Sequence, residues 1–237
     1  MSTLLSALEV VVRGHLNEAT ASYWSSDELV RLMNLGVHDL WRAVNDLGQK
    51  HFCTLDTTNV YLAASGTSLT GVPADCVRVH MIEPRVLTSS GASRGLAFRP
   101  LRYNDPVFQS ARASEALDGS SGGTIYWDQI GAGGPVGAPT VVVAPSVTAA
   151  VLLAFTYVPA LTTLTAASTN PVPGESDNAI VAWTVAYARA KEREDRAPDP
   201  NWLTIYATEK VNLLNSLTPR QDQEPRVTTA MFEDLWE

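Results

Sequence analysis

Residues 23–50 read YWSSDELVRLMNLGVHDLWRAVNDLGQK, and this stretch sets the class of the fold. Ser25 followed three residues later by Glu28 is a capping box, the reciprocal pairing of side chain and backbone that opens a helix. Trp24 just before the cap can pack on Leu29 as a hydrophobic staple. From there Leu29, Leu32, Met33, Gly36, Val37, Leu40, Trp41, Val44 and Leu47 recur every three or four residues, which predicts a long amphipathic helix over 26–47. Gly48 suits its C-terminal cap.

Working outward toward the N-terminus, Leu4, Leu5, Leu8, Val11, Val12 and Leu16 form one apolar stripe of a first helix within residues 3–20. Toward the C-terminus the period changes after residue 50. Val77, Val79 and Met81 alternate, and Ser65-Gly66 and Pro73 mark turns, so strands replace helices. Residues 88–96 and 118–139 are rich in Gly and Ser and read as loops or extended hairpins, with TIYW (124–127), inside the second, a short strand. YNDPVFQSARAS (103–114) reads as a helical turn or more. TVVVAPS (140–146) and AAVLLAFTYVPAL (149–161) are expected as two buried strands of one antiparallel sheet. The helical period returns at Ile180, Trp183, Val185, Tyr187 and Ala188, breaks at APDPN (197–201), and resumes in NWLTIYATEKVNLLNSL (201–217). The expected fold is therefore α+β, a helical bundle of two N-terminal and two C-terminal helices with a central antiparallel β-rich insertion. Its boundaries fall at 1–50, 51–160 and 161–217, followed by an extended C-terminal tail at 218–237.

The 237-residue chain is 45% hydrophobic and 18% charged, the composition of a folded globular protein. No apolar run approaches the roughly 20 residues of a membrane span, and the first residues lack the basic and small-residue features of an export signal, so neither export nor a membrane is expected. A formal charge of −8 with scattered Lys and Arg argues against broad adhesion to nucleic acid. Two cysteines, Cys53 and Cys76, are too few for a disulfide framework and read as small packed side chains.

A catalytic constellation is equally hard to assemble. There are four histidines. His15 and His38 lie in helices without a triad or metalloprotease pattern around them. His51, Cys53, Cys76 and His80 could in principle converge on zinc, but their spacing matches no standard zinc motif. The glycines of GAGGPVGAP (131–139) lack the Lys and Ser/Thr of a phosphate-binding loop, and Pro135 removes a backbone donor. Glu192, Glu194 and Asp195 alternate with Lys191, Arg193 and Arg196, as on a solvated helix face. No cofactor or metal is expected, and no enzyme.

Four segments in this order resemble the head-to-tail adaptor (connector) proteins of tailed bacteriophages: residues 23–44, SLTGVPADCVRVHMIEP (68–84), VVVAPSVTAAVLLAFTYVPALTTL (141–164) and NPVPGESDNAIVAWTVAYARAKERED (170–195). The Gly/Ser-rich stretch at 118–139 departs from the compact version of that pattern. The resemblance implies a structural subunit of the virion neck that assembles, typically twelvefold, into a ring between portal and tail. Its partners would be further copies of itself, the portal protein, and tail or nozzle proteins, with genomic DNA passing through the lumen without specific binding. Other neck components, such as a stopper or tail completion protein, share this class; the alternative from a different class is a tail-associated peptidoglycan hydrolase working through a carboxylate pair.

The chain ends TTAMFEDLWE, where Met231, Phe232, Leu235 and Trp236 fall at i, i+1, i+4 and i+5 of a helical face. Either this is a short helix packed back on the bundle, or it is an anchor on a polar, proline-broken tether (219–226) that a partner receives. In adaptors of the resembled kind such a segment commonly grips the portal. Trp24, Ser25, Glu28, Leu29, Trp41 and Trp183 are expected to cap and fill the bundle.

Overall fold

A computed structural model describes residues 3–18, 22–47, 51–85, 95–118, 122–131, 137–172, 174–193 and 197–218. Among these described residues five α-helices and eight strands make an α+β protein. The chain divides into two units, one of Met1–Gln49 with Thr163–Glu237 and one of Lys50–Thr162.

The first unit is helical. It contains α1 (Leu5–His15), α2 (Ser26–Asp46), α4 (Asp177–Glu192) and α5 (Pro200–Leu217), with a 3-10 turn at Gly174–Ser176 leading into α4. α4 packs against each of the other three. Its buried residues run round most of its circumference and include Ala179, Ala182, Ala186, Ala188 and Ala190, whose small side chains let neighbouring helices come close. α2 follows the sequence pattern closely, with Leu29, Met33, Val37, Leu40 and Val44 buried. It closes at Leu47 as C-cap; Gly48 lies outside the described residues. α5 starts on Asp199, whose carboxylate accepts the Asn201 N–H at 3.0 Å, with Pro200 at the first helical position.

α1 departs from expectation. Leu4 and Val11, assigned to its buried stripe, are 44% and 48% exposed, while Glu9 and Arg13 are buried. Its N-terminus has no side-chain cap. The Leu5 and Ser6 amides instead donate to the carbonyls of Ser168 and Ala166, both at 3.0 Å. Nearby, Asn34 on α2 pairs with Leu164 like a strand neighbour. Its Nδ2 donates to the Leu164 carbonyl and its Oδ1 accepts the Leu164 amide, each at 2.8 Å.

All the strands among the described residues lie in the second unit. Its long pair is β4 (Cys76–Pro84) against β8 (Val151–Pro159). On the other side of β8 lie β1 (Thr54–Asp56) and then β2 (Tyr61–Leu62), which carries β3 (Leu69–Thr70), so β8 is the spine of a five-stranded sheet. Val151, Leu153, Phe155 and Tyr157 alternate into the core, the period of two expected of a strand. Gly71, just past β3, has φ +80° and a Cβ there would fall 2.1 Å from the Asn59 carbonyl oxygen, so only glycine fits.

A three-stranded sheet of β5 (Leu96–Pro100), β6 (Gly123–Ile130) and β7 (Thr140–Ala144) shares this core. Three sequence readings are corrected here. TVVVAPS and AAVLLAFTYVPAL supply β7 and β8, which belong to different sheets; an apolar run marks burial but names no neighbour. TIYW is the middle of an eight-residue strand. The insertion is not wholly antiparallel, because β5 pairs with β6 in parallel. Between them, α3 (Pro106–Arg112) is a true helix, capped by Asp105 on the Val107 amide at 2.8 Å.

Candidate functional site

A dense polar constellation lies at the corner between α1 and α2. Arg13 is turned inward, where its Nε donates to Glu9 Oε1 at 2.9 Å and one terminal nitrogen to the Trp24 carbonyl at 3.1 Å. The other terminal nitrogen meets Glu18 Oε2 at 3.3 Å. Ser26 Oγ donates to Glu9 at 2.6 Å, tying the start of α2 to α1. A buried guanidinium is tolerable only when carboxylates and carbonyls surround it, and here they do.

Glu18 gathers the backbone of residues 22–24 just before α2. Its Oε1 accepts the amides of Tyr23 and Ser22, the latter at 2.7 Å, and the Ser22 hydroxyl at 2.8 Å, while Oε2 lies 3.3 Å from the Trp24 amide. The Tyr23 amide above all, joined by Ser22 and Trp24, outweighs burial and holds its carboxyl at about 2 instead of the ordinary 4.5.

The end of α4 is clasped onto this corner. Trp24 Nε1 donates to the Ala188 carbonyl at 3.3 Å. Lys191 Nζ donates to Glu28 Oε1 at 2.8 Å and to the Tyr23 carbonyl at 3.2 Å, and stands 4.9 Å from the centre of the Tyr23 ring. The capping box of Ser25 and Glu28 is complete. Lys191 first, then the Ser25 amide and hydroxyl, hold Glu28 at about 2. Farther along, Asp39 of α2 accepts from Tyr206 Oη and from Lys210 Nζ at 2.6 Å, both on α5. Burial would raise Asp39, but these bonds outweigh it and hold it below its ordinary value. Burial and the bond to Asp39 push Tyr206 upward.

Of the residues singled out in the sequence, Trp24, Ser25, Glu28 and Leu29 thus lie together at the α1–α2 corner, with Trp24 and Leu29 buried. Trp41 is half-buried on α2. Trp183 of α4 is half-buried against Gly36 of α2, where a Cβ would come within 3.0 Å of its ring, and its ring meets those of Tyr187 and Tyr206. Met231, Phe232, Leu235 and Trp236 lie outside the described residues. Glu9, Arg13, Glu18, Asn34 and Asp39 were missed by the sequence reading. A signal existed for the first two: they lie four residues apart, between Leu5, Leu8, Val12 and Leu16 on the narrow face of α1.

These groups fix charges; they do not poise protons. Glu18, Glu28, Asp39 and Asp56 are held below their ordinary pKa, and Tyr157, Tyr206 and Cys76 above theirs, so at neutral pH the carboxylates stay ionised and the phenols and thiol stay protonated. Cys76 is pushed to about 12 by burial and by Asp75, which does not suit a nucleophile. Among the described residues no group of three or more His, Cys, Asp or Glu could hold a metal ion, and no helix is long and apolar enough to cross a membrane. His15 is exposed, edge-on to the Trp202 ring at 5.0 Å, and His38 is half-buried.

Comparison with known families gives this framework a context. The family described as SU10 adaptor protein matches residues 2–231, and the chain belongs to it. This agrees with the resemblance to phage head-to-tail adaptors drawn from its segments. No curated protein matches the chain.

Proposed function

We propose, taking membership of the SU10 adaptor protein family as the premise, that the chain is a structural neck subunit that assembles into a ring between the portal and the tail of a tailed phage. The family match over residues 2–231 is the observation that carries this reading. In this reading α1, α2, α4 and α5 form a helical bundle in the ring wall, with Trp24, Ser25, Glu28, Leu29, Trp41 and Trp183 as its cap and core. The strand-bearing unit is an insertion into that bundle. DNA passes through the lumen, and a chain of formal charge −8 suits a channel that repels phosphate and lets the duplex slide.

The C-terminal segment serves as the portal anchor. Phe232 and Trp236 each contribute about 2 to 3 kcal/mol when buried in a partner, before the cost of ordering the tether. Electron microscopy and light scattering of the purified protein with portal rings of its own phage test the assignment. Rings seated on the portal are expected. A protein that stays monomeric and ignores the portal would overturn it.

A further inference from the structure

α1 is built inside out. Both of its fully charged side chains, Glu9 and Arg13, are buried, whereas Val10 and Val11 are 70% and 48% exposed and Leu4, just before the helix, is 44% exposed. Ala7 and Gly14 flank the valines on the same outward strip, and a Cβ built on Gly14 meets nothing within 4 Å. No Asp, Glu, Lys or Arg is among the exposed residues of α1.

α5 carries a second strip of this kind. Asn201, Ile205, Thr208, Val211, Asn212 and Asn215 face outward, with Ile205 44% and Val211 54% exposed, while the charged residues of the helix, Glu209 and Lys210, are half-buried at its flanks. α2 supplies the contrast within the same unit, since its outward residues include Asp27, Arg31, Arg42 and Asp46. That is how a helix facing water is ordinarily written. α1 and α5 each pack on α4 and approach one another end to end, where the exposed His15 ring lies edge-on to the Trp202 ring at 5.0 Å.

We propose that the two strips are the halves of one head-to-tail contact, the α1 strip of one copy packing on the α5 strip of the next. Charge decides the occupant. Copies that each carry a formal charge of −8 repel one another and approach most readily through surfaces that expose little acid, and only the half-buried Glu209 flanks these. Nucleic acid would require well-exposed Lys or Arg on the strips, and a basic partner well-exposed Asp or Glu; the strips offer neither, Glu209 and Lys210 being half-buried. A single foreign partner needs one such strip, whereas a heterologous contact between identical chains needs two different ones. Ala7 and Gly14, one heptad apart around Val10 and Val11, leave a shallow seat for the Ile205 and Val211 side chains. The inference rests on the self-assembly proposed above and adds to it the surfaces and their polarity.

The test uses full-length Val10→Asp and Ile205→Asp, sized by mass photometry under conditions in which the wild type assembles, alone or on portal rings. Each variant is expected to keep the wild-type circular dichroism and melting temperature, because both side chains are exposed. Each is expected to weaken association by more than about thirtyfold. Mixed in equal amounts, the two should form a heterodimer and nothing larger, since the Val10→Asp copy keeps its α5 strip and the Ile205→Asp copy its α1 strip. Variants that assemble like the wild type, or a mixture that stays monomeric, would overturn this contact and leave the adaptor assignment standing. A wild type that assembles neither alone nor on the portal would overturn both.

Discussion

Glu18 shows how a single carboxylate can set a helix corner. Its ionised form collects the loop amides, so folding favours the deprotonated state and its pKa falls from 4.5 to about 2. The stabilisation is therefore complete above the ordinary value and is lost as the pH drops from 4.5 toward 2. Glu28 is displaced in the same direction and adds to the same acid window. Glu18→Gln should lower the melting temperature near neutral pH, and its deficit against the wild type should shrink through that window. Thermal melts across acidic pH would check both halves of the expectation. Ser25 offers a second residue-scale test. Ser25→Ala removes the oxygen that accepts the Glu28 amide and should cost about 1 kcal/mol in chemical denaturation.

At the scale of elements, the close crossing of α2 and α4 depends on Gly36. A Cβ at this position lies 3.0 Å from Cγ and Cδ1 of Trp183, whose ring is held by Tyr187 and Tyr206. Gly36→Leu should overpack the crossing and destabilise the protein by about 1 to 3 kcal/mol, read as a shifted denaturant midpoint with an unchanged slope. α2 itself was legible almost residue by residue, because its capping box and apolar stripe are local features. α1 was only half legible. Its helix was visible from periodicity, but which face points inward depends on Glu18 and the Trp24 carbonyl, which supply the partners that let Arg13 be buried. The strands show the same division. β8 was recognisable as a buried run, yet its partners β4, β1 and β2 come from residues 54–84, far back in the chain.

For the whole molecule, the proposed division of labour separates self-assembly from portal attachment. Deleting residues 228–237 should leave the monomer folded and soluble and still able to associate with itself, while sharply weakening capture by immobilised portal rings. Unfolding or aggregation of the truncated protein would instead place those residues in its own core. Acidic character belongs to this scale as well. A formal charge of −8 is uninformative about any one helix, but it makes the two uncharged strips on α1 and α5 conspicuous as places where copies can meet.

The amino-acid sequence by itself determined the α+β order, the extent and buried face of α2, and the family, because each rests on local spacing or on the succession of segments. Only the tertiary structure decided that α1 turns its ions inward and its valines outward, that β7 and β8 part into different sheets, and that Asn34 substitutes for a strand neighbour. The physical reason is common to all three. Periodicity reports how a segment relates to its own axis, whereas the neutralisation of a buried charge, the partner of a strand and the satisfaction of a stray amide are supplied by residues distant in sequence.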